Sequence, residues 1–222
     1  MKKLFEKNSG EEHNFWMSYT DLMSGFLIVF IVASIIAMGY MIDYTPEFKE
    51  FEGVKGDVRV VVDEDKRSII LYHKNASDDL FPTGGYDPQL ALKDFLDIYG
   101  RRIVKKAIEL KKSYSDVELR IEGHTDPAGI RDRRTGYVPP YGSEESFIGN
   151  MTLSSQRANA VYSYLYNNCG LNPSEKEFLR NSAISVGCSF SERIKAGTHS
   201  DRYRDQELDD ASRRIEIKII SR

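Results

Sequence analysis

The chain begins with a mixed polar stretch and then carries an unbroken apolar run. Residues 22–42, LMSGFLIVFIVASIIAMGYMI, hold about 21 positions without a charged side chain. As a helix rising about 1.5 Å per residue, this run matches a hydrocarbon core about 30 Å thick. The pattern predicts a transmembrane helix at 16–42 behind a short tail at 1–15. A cleaved signal peptide is disfavoured because its apolar region spans only about 7–15 residues.

Beyond this run the apolar positions change period. A connector at 43–56 is too polar for a core, and short alternating runs then predict strands while longer stripes predict helices. The predicted strands are 57–62, 68–72, 117–121, 183–186 and 214–220, and the predicted helices are 88–112, with a break at Gly100, and 153–166. Residues 63–66 read as a hairpin turn. This order predicts an α/β sandwich over 57–222, with helices on one face of a mixed sheet.

Composition narrows the function. The 222 residues carry 31 Lys and Arg against 34 Asp and Glu, a net charge of −3, with 41% apolar residues. Binding nucleic acid through bulk charge needs a concentrated basic surface, so no direct nucleic-acid binding is expected. Because the membrane run holds many of the apolar residues, the remaining domain is more polar than the average suggests.

Asp21 stands at the entrance of the apolar run. A carboxylate at the bilayer edge costs free energy unless it is paired, hydrated or protonated, which makes it a candidate ion or proton carrier. The alternative is an N-terminal helix cap, which would stabilise the helix by about 1 kcal/mol. Trp16 and Tyr19 suit an interfacial belt and would place Asp21 below the headgroups, which favours the carrier.

The orientation of the helix follows from translocation rather than from charge. Basic residues flank both ends in similar number: Lys2, Lys3 and Lys7 before the helix, and Lys49, Lys55 and Arg59 after it. A tail of about 15 residues stays in the cytoplasm easily. We therefore predict residues 43–222 on the non-cytoplasmic side.

Other chemistry is not indicated. The four histidines are scattered without ligand spacing, so no metal site is expected, and neither a phosphate loop nor a nucleophile elbow is present, so no enzyme is expected. Cys169 and Cys188 lie about 19 residues apart. They either form a disulfide, which would stabilise by about 3 kcal/mol, or remain two buried thiols.

Four motifs follow one another in the second half of the chain. They are EGHTD at 122–126, Asn150, LSSQRANAV at 153–161 and RRIE at 213–216. Together they resemble the OmpA-like peptidoglycan-binding domain, whose pattern runs G-H-T-D, N, L-S-x-x-R-A-x-x-V and R-R-V/I-E. The resemblance covers about 57–220 and agrees with the predicted fold.

The resemblance implies a site for the diaminopimelate of the peptide stem. Arg157, expected in the first turn of its helix, would bind the carboxylate, and an aspartate would bind the amine. Asp126 belongs to the shared motif, and Asp132 is the nearest match for a second acid because residues 130–148 are an insertion. Thr125 and Asn150 complete the implied site. The basic, aromatic insertion and the segment 189–210 are expected to be solvated, mobile loops.

The stretch Tyr19-Thr20-Asp21-Leu22-Met23-Ser24, ahead of such a domain, resembles the B subunits of ion-driven rotary motors of the flagellar stator kind. Those typically have Tyr-Ala-Asp, an apolar residue, Met and Thr, so Thr20 and Ser24 depart from the pattern. The resemblance implies a B homodimer inside a ring of multi-pass A subunits in the bacterial inner membrane. H⁺ or Na⁺ would load on Asp21, supported by Tyr19, Thr20 and Ser24, and no cofactor is implied.

The short connector separates this chain from flagellar stators, which have a long periplasmic linker with a plug helix. Here only about 15 residues lie between the end of the apolar run at Ile42 and the first predicted strand. This build resembles the B subunits of Zorya anti-phage defence systems, in which a wall-anchored motor relays phage invasion to effectors. Two alternatives remain open: a flagellar-type stator subunit, and a passive wall anchor with an inert helix.

Overall fold

The structure, a computed structural model, describes residues 8–42, 48–63, 67–75, 78–114, 116–192 and 211–221, with side chains in the first range described for 16–36. The chain divides into two compact units, Met1–Thr45 and Pro46–Arg222.

The first unit contains one long helix, α1 (Asn8–Ile42). Its stretch Trp16–Ile36 has 21 residues, a mean hydropathy of 2.0 and no burial. The consecutive side chains of 26–30 are each 59–70% exposed, so apolar atoms cover every face of the helix. A helix of this length and composition could span a membrane.

The second unit is built on a six-stranded sheet. Its strands are β1 (Gly53–Lys55), β2 (Val58–Asp63), β3 (Ser68–His73), β4 (Val117–Gly123), β5 (Ala183–Gly187) and β6 (Ile215–Ser221), in the order β1-β2-β3-β6-β4-β5. Among the strand pairs of the described residues, β4 and β5 run parallel and the other four pairs run antiparallel. The predicted mixed sheet is therefore confirmed. Asp63 pairs with Ser68 across the β2–β3 hairpin, whose turn at 64–66 lies outside the described residues.

The core lies between the sheet and three helices, α2 (Leu90–Ser113), α3 (Glu144–Asn168) and α4 (Pro173–Ser182). Alternate strand positions such as Leu119, Ile121 and Ile217 are fully buried in one cluster with helix residues such as Leu96 and Leu165. This alternation buries one face of β2, β3, β4 and β6 against the helices. The predicted α/β sandwich with helices on one face is confirmed.

Two parts of the second unit are absent from the predicted elements. Residues 43–56 are predicted as a polar connector, yet Phe48 and Phe51 are 1% and 0% exposed and join the core, and β1 follows. Helix α4 is also unpredicted, although Asn172 and Glu175 form a capping box before its apolar face. Residues 43–47 lie outside the described part of the chain.

Helix α2 runs without the predicted break at Gly100. Gly100 is buried, and a Cβ at this position would lie 2.7 Å from both the Cys169 sulfur and a methyl carbon of Leu165. The glycine therefore permits close packing of α2 on α3 and does not interrupt the helix.

Helix α3 begins at Glu144, nine residues before the predicted start at 153. Ser143 caps it by accepting a hydrogen bond from the Ser146 amide at 3.1 Å. The last part of the insertion is thus helical, and the expectation of a loop throughout 130–148 is wrong. The early start escaped the pattern because the buried residues before Leu153 are the polar Ser146 and Asn150.

The two glycines of α2 and α3 give a stability test. Gly100→Ala should destabilise the protein by about 1–3 kcal/mol because its Cβ would overpack the contact with α3. The matched control is Gly149→Ala in α3, where the nearest atom to a Cβ is 3.9 Å away. It should be neutral or stabilising by up to about 1 kcal/mol. Chemical denaturation of the full chain in detergent measures both, and equal effects of the two substitutions would refute the packing role of Gly100.

Candidate functional site

Arg157 lies at the centre of the candidate site, in the middle of α3. The expected position in the first turn is wrong, because α3 starts thirteen residues earlier at Glu144. The side chain is 5% exposed. Its Nε donates to the Gly85 carbonyl at 2.9 Å and its Nη2 to the Pro82 carbonyl at 3.3 Å. The guanidinium also lies 5.1 Å from the ring centroid of Phe81, so it fixes the turn between β3 and α2.

Arg157 remains charged despite its burial. Burial lowers the pKa of its guanidinium to about 10, an effect that the charges of Asp79 and Asp126 oppose and that of Arg213 reinforces. The helix dipole expected to favour an anion beside Arg157 is not available in mid-helix. The positive charge at this site therefore comes from the side chain alone.

Arg213 connects two acids beside Arg157. Its Nε donates to Asp79 at 2.7 Å and its Nη1 to Asp126 at 2.7 Å. Partial burial disfavours the charged form of Arg213, but these hydrogen bonds outweigh it and raise its pKa. Asp79 precedes the turn held by Arg157, and Asp126 follows β4. Arg213 thus joins the two sides of the site.

The four residues Asp79, Asp126, Arg157 and Arg213 form what we call the anchor cluster. Two carboxylates and two guanidiniums balance in charge. Nη1 of Arg157 has no hydrogen-bond partner among the described residues. A ligand that carries both an amine and a carboxylate complements such a pair of opposite charges.

The two candidate acids occupy different environments. Asp126 belongs to the anchor cluster, and its Oδ1 accepts from the Ala128 amide at 2.8 Å. Asp132 instead accepts from the amides of Arg134 and Thr135 at 2.7 and 3.1 Å, and these bonds lower its pKa. Asp132 holds a turn of the insertion and has no hydrogen bond or ion pair with Arg157 among the described residues.

Thr125 and Asn150 are buried and support the site from behind. Thr125 is 2% exposed, and its amide donates to the Ser189 carbonyl at 2.9 Å. Asn150 is 2% exposed, and its Nδ2 donates to the Ala128 carbonyl at 2.8 Å. Both residues therefore position the segment around Asp126 and are not exposed for ligand contact.

Asp79 and the turn 82–85 are the parts of the site that the sequence pattern missed. They fall between the predicted strand 68–72 and helix 88–112, where no periodic signal marks them. Arg213 stands in a quoted motif, but its role as a bridge between two acids depends on long-range pairing.

The EGHTD and RRIE motifs also build a buried ion network. His124 is 1% exposed, and its Nε2 lies 3.4 Å from Oε2 of both Glu122 and Glu216. Lys218 donates to Glu122 at 2.5 Å, and Arg214 Nη2 lies 3.5 Å from Glu216. Burial by itself would raise the pKa of Glu216, but His124 and the two cations outweigh it and lower the pKa to about 2.

This network contains the described residues best placed to hold a metal. Donor atoms of Glu122, His124, Glu192 and Glu216 lie within 4.8 Å of one another, as do those of Glu122, His124 and Cys188. The Lys218 ammonium already lies 2.5–3.9 Å from the three carboxylates. It supplies the positive charge that a cation would otherwise bring.

The two cysteines are free thiols, so the disulfide alternative is not realised in the structure. Cys169 packs beneath Gly100 and donates to the Leu96 carbonyl at 3.2 Å. Cys188 lies beside the ion network. Burial raises the pKa of Cys169 to about 12 and that of Cys188 to about 11, which keeps both protonated at neutral pH.

In the first unit, Asp21 is an exposed residue in the interior of α1. Because α1 begins at Asn8, Asp21 is not an N-terminal cap, and that alternative is excluded. The hydroxyls of Thr20 and Ser24 donate to the carbonyls of Trp16 and Thr20 at 2.7 and 2.8 Å. These bonds satisfy the hydroxyls within the helix. Tyr19 packs edge-on against Trp16, with ring centroids 6.2 Å apart.

Comparison with known proteins finds similarity along the whole chain. The Zorya protein ZorB of Escherichia coli is 25% identical over an alignment of 237 positions, which covers 99% of this chain and 92% of ZorB. A MotB-like protein of Desulfovibrio vulgaris aligns over 86% of this chain and 92% of its own, with 19% identity and a TM-score of 0.42. The OmpA-like domain of Francisella tularensis FopA1 aligns over 77% and 88%, with 16% identity and a TM-score of 0.39. No protein-family model matches the chain.

The ion network predicts a pH-dependent stability. An unfolded glutamate protonates near pH 4.5, whereas folded Glu216 stays ionised down to about pH 2. Its contribution is therefore complete above about pH 5 and is lost as the pH falls towards 2. Between pH 6 and pH 3, Glu216→Gln should lose less unfolding free energy than the wild type. Denaturant titrations at the two pH values measure this, with Glu109→Gln on the exposed face of α2 as control. An unchanged pH dependence in Glu216→Gln would contradict the assignment.

Proposed function

We propose that the chain is the peptidoglycan-anchored B subunit of an ion-driven, stator-type motor that serves Zorya anti-phage defence. The observation that carries this proposal is the combination, in one chain, of an acid inside an apolar helix and a charge-balanced anchor cluster. The similarity to ZorB supports it because the alignment includes both units.

The anchor cluster supports wall binding. Diaminopimelate in a peptide stem presents an amine and a carboxylate on one carbon. Arg157 is the partner for the carboxylate, and Asp126 is the partner for the amine, because Asp126 is the candidate acid whose charge acts on Arg157. Arg213 holds Asp126 in place and balances its charge, and Asp79 holds Arg213 through its Nε.

The helix supports ion transport. Asp21 lies in the interior of α1 within the stretch Trp16–Ile36, where an inert anchor has no need of a carboxylate. An ion that loads on Asp21 neutralises it, and unloading restores the charge. Each charge that crosses the membrane releases about 2.3 kcal/mol per 100 mV, which supplies work for a rotary step.

The compact build supports defence over motility. Only residues 43–47 separate the end of α1 at Ile42 from Phe48, which already belongs to the core. This segment is too short for a plug helix. The linker of a flagellar stator therefore has no counterpart here.

The same proposal sets the surroundings of the chain. It lies in the bacterial inner membrane with its N-terminus in the cytoplasm and its second unit in the periplasm. Two copies pair inside a ring of multi-pass A subunits. The transported ion is H⁺ or Na⁺, and neither a cofactor nor nucleic acid takes part.

Wall binding is tested at the anchor cluster. Arg157→Ala and Asp126→Asn should each weaken co-sedimentation with purified peptidoglycan by at least about tenfold, because charge-assisted hydrogen bonds contribute about 1.5–3 kcal/mol each. Arg180→Ala, an exposed arginine on α4, is the matched control. Arg157→Ala also removes bonds to the turn 82–85, so melting temperatures separate binding from folding. Wild-type binding by a folded Asp126→Asn variant would refute the assigned site.

Ion transport is tested at Asp21 in cells that carry the complete defence system. Asp21→Asn should abolish phage protection while membrane insertion and peptidoglycan binding stay at wild-type levels. Asp21→Glu, which keeps a carboxylate, should retain partial protection. Full protection by Asp21→Asn would instead identify a passive anchor, and restored swimming of a non-motile stator mutant by the wild-type chain would identify a flagellar-type subunit.

A further inference from the structure

The insertion contains a folded loop beside the anchor cluster. We call residues 129–143, between the Asp126 turn and α3, the insertion loop. The Asp132 amide donates to the Tyr137 carbonyl at 2.8 Å, and the Gly136 amide donates to the Asp132 carbonyl at 2.9 Å. The Gly142 amide donates to the Pro127 carbonyl at 2.9 Å. The segment expected to be a mobile loop therefore consists of hydrogen-bonded turns, and the Gly142–Pro127 bond joins its two ends.

The insertion loop is also attached to its surroundings. Tyr137 donates its hydroxyl to Glu145 in the first turn of α3 at 3.0 Å. Gly129 lies so close to Pro139 that a Cβ would collide with the proline carbonyl. Side chains on such a loop are held in place before any ligand arrives, which reduces the entropy cost of binding.

The insertion loop adjoins the turn that Arg157 holds. A Cβ added at Gly84 would lie 3.8 Å from Cγ2 of Ile130, and a Cβ added at Gly149 of α3 would lie 3.9 Å from Cδ1 of the same isoleucine. Asp126 leads directly into the insertion loop through its bond to Ala128. The insertion loop and the anchor cluster therefore form neighbouring parts of one surface.

The exposed side chains of the insertion loop have a definite chemistry. Tyr137 and Tyr141 are 50% and 59% exposed, and Tyr86, which follows the turn 82–85 in sequence, is 52% exposed. Three arginines, Arg131, Arg133 and Arg134, are exposed as well. The one acid among them, Asp132, is occupied by backbone amides. Within residues 129–143 three arginines thus stand against one acid, and the exposed rings of Tyr137 and Tyr141 lie in sequence between this basic stretch and the acidic start of α3 at Glu144 and Glu145.

We propose that the insertion loop binds the glycan strand of the peptidoglycan whose peptide stem occupies the anchor cluster. Sugar rings present apolar C–H faces that pack on tyrosine rings, and tyrosine provides rigid contact area at low entropy cost. The arginines pair with carboxylates that neighbouring stems carry along the strand. This inference rests on the proposed wall-binding function and extends it from the peptide to the sugar.

Three ligands allow binding at the insertion loop and at the anchor cluster to be measured separately. They are intact peptidoglycan, glycan strands stripped of their stems by an amidase, and a soluble diaminopimelate stem peptide. The full chain in detergent carries either Tyr137→Ala with Tyr141→Ala, or Arg131→Gln with Arg133→Gln and Arg134→Gln. The tyrosine variant should bind intact peptidoglycan and stripped glycan about three- to tenfold more weakly than wild type, a loss typical of removed aromatic contacts. The arginine variant should lose a similar factor for intact peptidoglycan but not for stripped glycan, which lacks the stem carboxylates. Binding of the stem peptide should not change.

The controls distinguish the two proposals. Tyr114→Ala removes a partly exposed tyrosine before β4, at the strand end opposite the anchor cluster, and should leave all three affinities unchanged. Tyr137→Phe with Tyr141→Phe keeps both rings and removes the hydroxyls, including the bond to Glu145, so its glycan affinity should lie closer to wild type than that of the double alanine variant. Wild-type affinity of the tyrosine variant for stripped glycan, or of both loop variants for intact peptidoglycan, would overturn the glycan site, even if phage protection were lost. Failure of the wild type to bind the stem peptide would overturn the anchor cluster instead.

Discussion

The close contact of α3 with the ends of β4 and β5 is the constraint on which the site depends. Gly123 and Gly187 end these strands, and a Cβ on either would collide with α3 at Ser154 or Ser155. Arg157 follows within one helical turn, so the same contact carries its guanidinium to the turn between β3 and α2. A side chain at either glycine would lift the helix and withdraw Arg157 from the anchor cluster. The position of Arg157 in the anchor cluster therefore depends on this packing at the strand ends.

Neighbouring opposite charges offset the cost of burying the Arg157 guanidinium. A buried guanidinium is costly unless opposite charges lie close to it. Asp79 and Asp126 provide them, while Arg213 prevents an excess of negative charge. The adjacent Arg214 contacts Glu216 in the buried ion network. One arginine pair thus stabilises two charge clusters, which explains why the motif before β6 contains both residues.

Period and length were sufficient to predict every strand of the sheet except the short β1, the mixed character of the sheet and the apolar helix. Asp126 and Arg157 were found through motif order, although the helix around Arg157 begins much earlier than its apolar stripe. Phe48 was missed because its neighbours are polar, and Asp79 was missed because nothing local marks a residue whose partner, Arg213, is distant in sequence. Such pairings exist only in the folded chain, so alternation and composition carry no signal for them.

The most direct test of wall anchoring varies the ligand and leaves the protein unchanged. Calorimetric titration of the wild-type chain would compare a stem peptide with a free diaminopimelate carboxylate against the same peptide with that carboxylate amidated. The account predicts binding of the free acid and an affinity at least about tenfold lower for the amide, because Arg157 loses an anionic partner in a buried setting. Equal affinity for the two peptides would contradict it.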